Sequence, residues 1–147
     1  MKHLILIFLS FLMTAGSLSA QSKGKAESKK AKTHKIIFQM VSKDTADHNA
    51  MVRQLNNLQR LAPGTKLEVV CHGPGMSFIH KDKSLVLTDL KDLAEKYKVD
   101  FVGCEFTMQQ KNIKREQLLG ECRTVPGGIL EIVQKQEKGW SYIKAGY

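Results

Sequence analysis

An α/β fold built on a parallel sheet is the architecture this sequence predicts, and three observations predict it. Short apolar runs of strand length recur along the chain, stretches with apolar residues at helical spacing separate them, and Gly or Pro stands at several of the junctions. Strands that read as near-continuous apolar runs belong to sheets buried on both faces, the habit of parallel sheets with helical crossovers. At 147 residues there is room for one domain. A composition of 42% hydrophobic and 25% charged residues is ordinary globular usage, which excludes collagen-like and wholly disordered chains.

The elements follow in order. Lys35 to Val41, KIIFQMV, is an apolar run of strand length. Met51, Leu55, Leu58 and Ala62 then mark a helix over 44–62, with Asp44 as N-cap and Pro63-Gly64 as its stop. Leu67 to Cys71 is a second strand, broken by His72-Gly73-Pro74-Gly75 and followed by a loop. Val86, Leu90, Leu93, Ala94 and Tyr97 lie on one helical face, with Thr88 and Asp89 suited to the first turn. Asp100 to Cys104 is a third strand, and a short helix around Lys114 to Leu119 ends at Gly120. Arg123 to Val125 has the length of a very short strand. Pro126 opens a helix carrying Ile129, Ile132 and Val133 on one side, Gly139 ends it, and Trp140 to Lys144 is the last strand. The carboxyl ends of such strands are where open parallel sheets bind ligands, which directs attention to the loops after Val41, Cys71, Cys104 and Val125.

The fold is not expected to begin at the first residue. Lys2 and His3 precede an apolar run from Leu4 to Met13, and small residues from Ala15 to Ala20 follow. That order is the one of a secretory signal peptide over residues 1–20, and the run is too short to span a bilayer. Cleavage after Ala20 fits, with Ser17 as the alternative, and no cysteine follows the run to make a lipoprotein. The expectation is a periplasmic or secreted protein with no integral membrane segment once the leader is removed. Residues 21–35 then hold six Lys and one Glu and no large apolar side chain, so residues 21–34 are expected to be a basic disordered linker before a domain at 35–147. This stretch supplies much of the net charge of +9. Export, and the absence of aromatics within the run, argue against nucleic acid as the partner.

Three cysteines carry the chemistry. Cys71 and Cys104 fall where a strand ends, and Cys122 precedes the short fourth strand, which should set it near the opposite edge of the sheet. Three is odd, so one thiol is free unless it pairs between chains. An ordinary disulfide between Cys71 and Cys104 and a buried packing role for Cys71 and Cys122 both remain open. No CxxC is present and no zinc spacing involves His72, so no metal is expected. Cys104 has the setting of a reactive thiol, because backbone N–H groups after a strand end favour a thiolate. Glu105 would oppose ionisation, and Lys111 and Lys114 would favour it if they fold back. The HGPG segment could bind an anion through Gly73 and Gly75 amides or could simply turn the chain. Neither a phosphate-binding glycine loop nor a G-x-S-x-G elbow occurs, and no cofactor is expected. Asp89 and Asp92 read as a solvated first-turn pattern, Met108 as packing, and Trp140 and Tyr142 as core or an oligomer contact.

FVGCEFTMQQKNI, followed by TVPGGILEIVQKQEKGWSYIKAG, resembles the DsrE/DsrF-like family of sulfur-relay proteins, and HGPGMSFI fits that family's strand-then-HGP turn. The resemblance spans about residues 35–147. It implies a three-layer α/β/α sandwich with a five-stranded parallel sheet, in which the second and third strands are adjacent and Cys71 and Cys104 sit near each other at one edge of a pocket. It also implies a homotrimer or homohexamer. Cys104 matches the family's strand-end cysteine, which would hold sulfur as a persulfide and pass it on, with Cys71 as a secondary thiol and His72, Gly73 and Thr107 shaping the pocket. The function so implied is a thiol-based sulfur carrier or sulfurtransferase-like protein outside the cytoplasm, its partner a protein sulfur acceptor or a small sulfur compound. A non-catalytic oligomeric binding module on the same fold is the alternative.

Overall fold

A computed structural model describes residues 33–145 of the chain. The expected leader, and the basic linker up to residue 32, lie outside the described residues. Five parallel strands, β1 (Lys35–Met40), β2 (Lys66–Cys71), β3 (Asp100–Cys104), β4 (Arg123–Val125) and β5 (Ser141–Ala145), form one sheet in the order β4-β3-β2-β1-β5. The second and third strands are adjacent, with Cys71 opposite Gly103.

Side chains alternate across each strand and divide the core in two. Phe38, Met40, Val69, Cys71 and Phe101 face a large layer completed by helices α1 (Thr45–Leu61) and α2 (Leu87–Tyr97). Ile37, Val70 and Val102 face the other way and meet Ile132 of helix α4 (Gly128–Glu137). Helices therefore cover both sheet faces, giving the three-layer sandwich. Asp44 caps α1, its carboxylate accepting from the Ala46 N–H at 2.8 Å, and Gly64 turns the chain after it at φ +82°.

Three stretches differ from expectation. The segment after His72 is not an open loop but a 3-10 turn, Gly73–Ile79, whose Met76, Phe78 and Ile79 are buried in the larger core. Helix α3 (Glu105–Gln110) follows Cys104 directly, and the short helix expected near Lys114–Leu119 is a single 3-10 turn, Arg115–Gln117. On α4 only Ile132 of the expected apolar side is buried, while Ile129 and Val133 are exposed. The reason is geometric: α1 and α2 flank each other, whereas among the described residues no helix packs extensively along α4 to cover the edges of its stripe.

Polar contacts hold α4 at Glu131 and Lys135. Arg123 pairs with Glu131 at 2.7 Å, Asp100 at 2.8 Å and the fully buried Glu68 at 3.2 Å, and Lys135 joins Glu68 while lying 4.6 Å over the Trp140 ring. Burial raises the Glu68 carboxyl above its ordinary range despite these cations.

Candidate functional site

Cys104 ends β3 and is the N-cap residue of α3, and only 6% of its surface is exposed. It shares the face of Val102, two residues back, and so looks toward α4. The Gly128 N–H, at the first residue of α4, donates to Cys104 Sγ at 3.3 Å. The absence of a side chain on Gly128 eases that approach. A Cβ there would lie 3.1 Å from Val70 Cγ1, 3.2 Å from Cys104 Cβ and 3.6 Å from His72 Cβ.

Thr107 builds the other wall. It is buried on α3, and its Oγ1 accepts from the Gly73 N–H at 3.0 Å, which leaves the hydroxyl proton free for the sulfur side. Burial pushes the Cys104 thiol up, but the Gly128 amide, then the Thr107 amide and hydroxyl and the Phe106 amide, outweigh it and hold the thiol below its ordinary value. Phe106 contributes least, its N–H being engaged by the Pro126 carbonyl at 3.2 Å. The positive ends of the ten-residue α4 and of α3 act in the same direction. No charged side chain is among these principal influences. Glu105, expected to oppose ionisation, instead accepts from the Thr124 hydroxyl at 2.7 Å.

The HGPG segment is a structural turn. Gly73 sits at φ +54°, and a Cβ on Gly75 would fall 2.1 Å from the Met40 carbonyl oxygen at the end of β1. Its amides are spent internally, Gly73 on Thr107 and Gly75 on the His72 carbonyl at 3.0 Å, so they are not an anion cradle. His72 flanks Cys104 across Gly128. Its Nε2 accepts from the Gln39 side-chain amide at 2.7 Å, and the Gln39 carbonyl accepts from the Tyr142 hydroxyl. Burial lowers the His72 pKa, so the ring is neutral near neutral pH. The sequence reading misses Gln39 and gives Tyr142 only as core or an oligomer contact, because only strand register brings β5, β1 and β2 side by side.

The cysteines do not group as expected. Cys71 and Cys104 end adjacent strands but sit on opposite sheet faces, Cys71 with Val69 in the larger core and Cys104 with Val102. The anticipated pocket edge shared by the two thiols is therefore corrected, and all three cysteines are free. Cys122, immediately before the edge strand β4, is buried in the same layer as Cys71. Burial, aided by the neighbouring Cys122, pushes Cys71 well up, and burial pushes Cys122 up to about 11. Both are protonated packing residues at neutral pH. Among the described residues no three His, Cys, Asp or Glu side chains converge as metal ligands, and no helix is long and apolar enough to cross a membrane.

Outside the thiol lies an apolar rim. Phe106 is 62% exposed, Ile129 55%, Leu130 58% and Val133 43%, and Phe106 packs beside Gly127 and Leu130 at the start of α4.

Comparison with known proteins agrees with this architecture. A solved structure, that of the protein of unknown function MTH1491 from Methanobacterium thermoautotrophicum, is similar with a TM-score of 0.71 at 24% identity, covering 76% of this chain and 98% of that one. At that identity the likeness shows the fold alone. No curated protein matches significantly. A family model for the DsrE/DsrF-like family matches residues 33–145. Since that match takes in every strand of the sheet and the whole setting of Cys104, the chain belongs to the DsrE/DsrF-like family.

Proposed function

We propose that this protein is a thiol-based sulfur carrier, or a sulfurtransferase-like protein, that acts outside the cytoplasm through Cys104. The observation that carries the reading is the hydrogen bond from the Gly128 N–H to Cys104 Sγ, in a setting that lowers the thiol pKa while the other two cysteines are pushed up. A thiolate is the form that attacks sulfane sulfur. Cys104 S⁻ forms a bond to the donor's sulfane sulfur, and the donor's own bond to that sulfur breaks, its electron pair leaving with the donor. The resulting persulfide gives up its outer sulfur when an acceptor thiolate attacks it, and the Cys104 thiolate returns as leaving group. His72, Gly73 and Thr107 shape the setting of the sulfur, Thr107 through its hydroxyl and Gly73 by orienting Thr107. Export rests on the leader-like residues 1–20.

The apolar rim of Phe106, Ile129, Leu130 and Val133 favours a second part of the reading, a homo-oligomer (trimer or hexamer) that covers it. The same rim supports the competing view, a binding module with no sulfur chemistry.

Intact mass of the mature protein before and after a sulfane-sulfur donor separates the two. Wild type should gain about 32 Da, one sulfur atom. Cys104→Ser should gain none, and Cys71→Ser should gain as wild type does. An unchanged wild-type mass, or a gain that survives in Cys104→Ser, overturns the carrier reading.

A further inference from the structure

Away from the rim, a cleft of about 430 Å³ opens beside Gly73, lined by Lys43, Ser77, His80, Lys83, Lys111 and neighbouring apolar side chains. The three lysines come from three separate parts of the chain. Lys43 follows β1, Lys83 follows the 3-10 turn and Lys111 ends α3. No carboxylate lines the cleft. The nearest acids in sequence are otherwise placed: Asp44 caps α1 through the Ala46 N–H, and Asp82 is an exposed residue outside the lining set. Three like charges around one concavity repel one another, and a concave, partly apolar wall focuses their field. Met76 and Ile113 supply that wall.

His80 adds a neutral donor. It is only 3% exposed, and its Nδ1 accepts from the Asp82 N–H at 3.1 Å. The ring proton therefore resides on Nε2, on a residue that lines the cleft. Burial, then Lys83 beside it, outweigh the opposing pull of Asp82, hold the His80 pKa below its ordinary value and keep the ring neutral at neutral pH.

We propose that this cleft is a binding site for a small divalent oxyanion of the sulfate or phosphate type, held by Lys43, Lys83 and Lys111 and by the His80 Nε2–H. The site is separate from Cys104 and goes beyond the carrier reading. Gly73 lines the cleft while neither Cys104 nor Thr107, which accepts the Gly73 N–H, does so. Binding here involves no covalent step and does not depend on whether Cys104 carries sulfur.

The test is a titration of the mature chain with sodium sulfate, sodium phosphate and sodium chloride at matched ionic strength, read by calorimetry and by amide NMR shifts. Saturable binding of sulfate or phosphate, with shifts clustered at Gly73, Ser77, His80, Lys83 and Lys111, supports the site, and the tighter of the two identifies the oxyanion. Lys83→Met and Lys111→Met should each weaken binding by up to about fivefold, the worth of one partly exposed charge pair, and the double variant more. Lys91→Met on the outer side of α2 should change nothing. These lysines are exposed, so the variants keep the fold. Shifts that follow ionic strength whatever the anion, or undiminished binding in the double variant, overturn the proposal.

Discussion

Cys104 differs from Cys71 and Cys122 in what surrounds the sulfur and not in where it stands along a strand. All three are buried, and burial alone raises a thiol pKa. Only Cys104 has enough N–H and O–H dipoles directed at it to reverse the sign. The thiolate is the reactive form, so Cys104 should alkylate with a midpoint below that of an ordinary cysteine thiol. The linkage has a matching sign. A folded-state value below the unfolded one contributes stability that is present above the unfolded pKa and is lost as pH falls through the folded value. Thr107→Val keeps the shape of the side chain but removes the hydroxyl and leaves the Gly73 N–H without its acceptor. Its alkylation midpoint should rise toward that of a free cysteine, measured as rate against pH with iodoacetamide on a Cys71→Ser, Cys122→Ser background. An unchanged profile would mean that Thr107 only packs. The strand-end pattern already pointed to Cys104 as the thiol with backbone N–H groups around it. The expected influence of Glu105, Lys111 and Lys114 was not correct, because Glu105 is drawn to Thr124 and the principal influences on the sulfur are neutral groups.

Helix α4 connects the site to the fold. Its first turn touches Cys104, its middle rests on Ile37, Val70 and Val102 through Ile132, and Glu131 and Lys135 on either side of Ile132 tie it to Arg123 and Glu68. Gly128→Ala tests whether that seating matters. The added methyl would sit 3.1 Å from Val70 and 3.2 Å from Cys104, tighter than ordinary contact, so the helix start or these side chains must give by a few tenths of an ångström. Overpacking of this kind costs roughly 1–3 kcal/mol. Chemical denaturation should show a loss of that order, and the Cys104 alkylation midpoint should rise because the Gly128 N–H retreats from the sulfur. A destabilised variant with an unmoved midpoint would separate packing from thiol chemistry. Long elements were read correctly: Asp44 caps α1, and 17 residues carry enough turns to reveal a period. The six residues of α3 make fewer than two turns, so no periodic signal could identify that helix.

Across the whole molecule, the two sheet faces are unequally covered. Two helices and a buried 3-10 turn cover most of one face, although Leu61 and Ile143 stay exposed toward the β5 edge, and α4 with the end of the sheet leaves Phe106, Ile129, Leu130 and Val133 in solvent on the other. A rim of that kind is expected to be an assembly surface. Leu130→Asp places a charge in its middle at an exposed position. In the proposed trimer or hexamer it should lower the mass measured by sedimentation toward that of one chain, while the thermal midpoint of the isolated chain changes little. Wild type that sediments as a single chain at all concentrations would remove the oligomer from the reading.

The sequence by itself determined the fold class, the position of every strand to within a residue or two, and the one cysteine at the end of the third strand. Those features are local: apolar runs, helical spacing and turn residues are written in consecutive positions. Tertiary structure decided the rest. Whether Cys71 and Cys104 meet depends on the register of β2 against β3, and Cys71 opposite Gly103 places the two sulfurs on opposite faces. The donor to Cys104 comes from Gly128, 24 residues later, and the Gln39 that holds His72 comes from 33 residues before it. Contacts over such separations exist only once the strands have paired and α4 has closed over them, because nothing in the neighbouring residues encodes which distant atom will arrive.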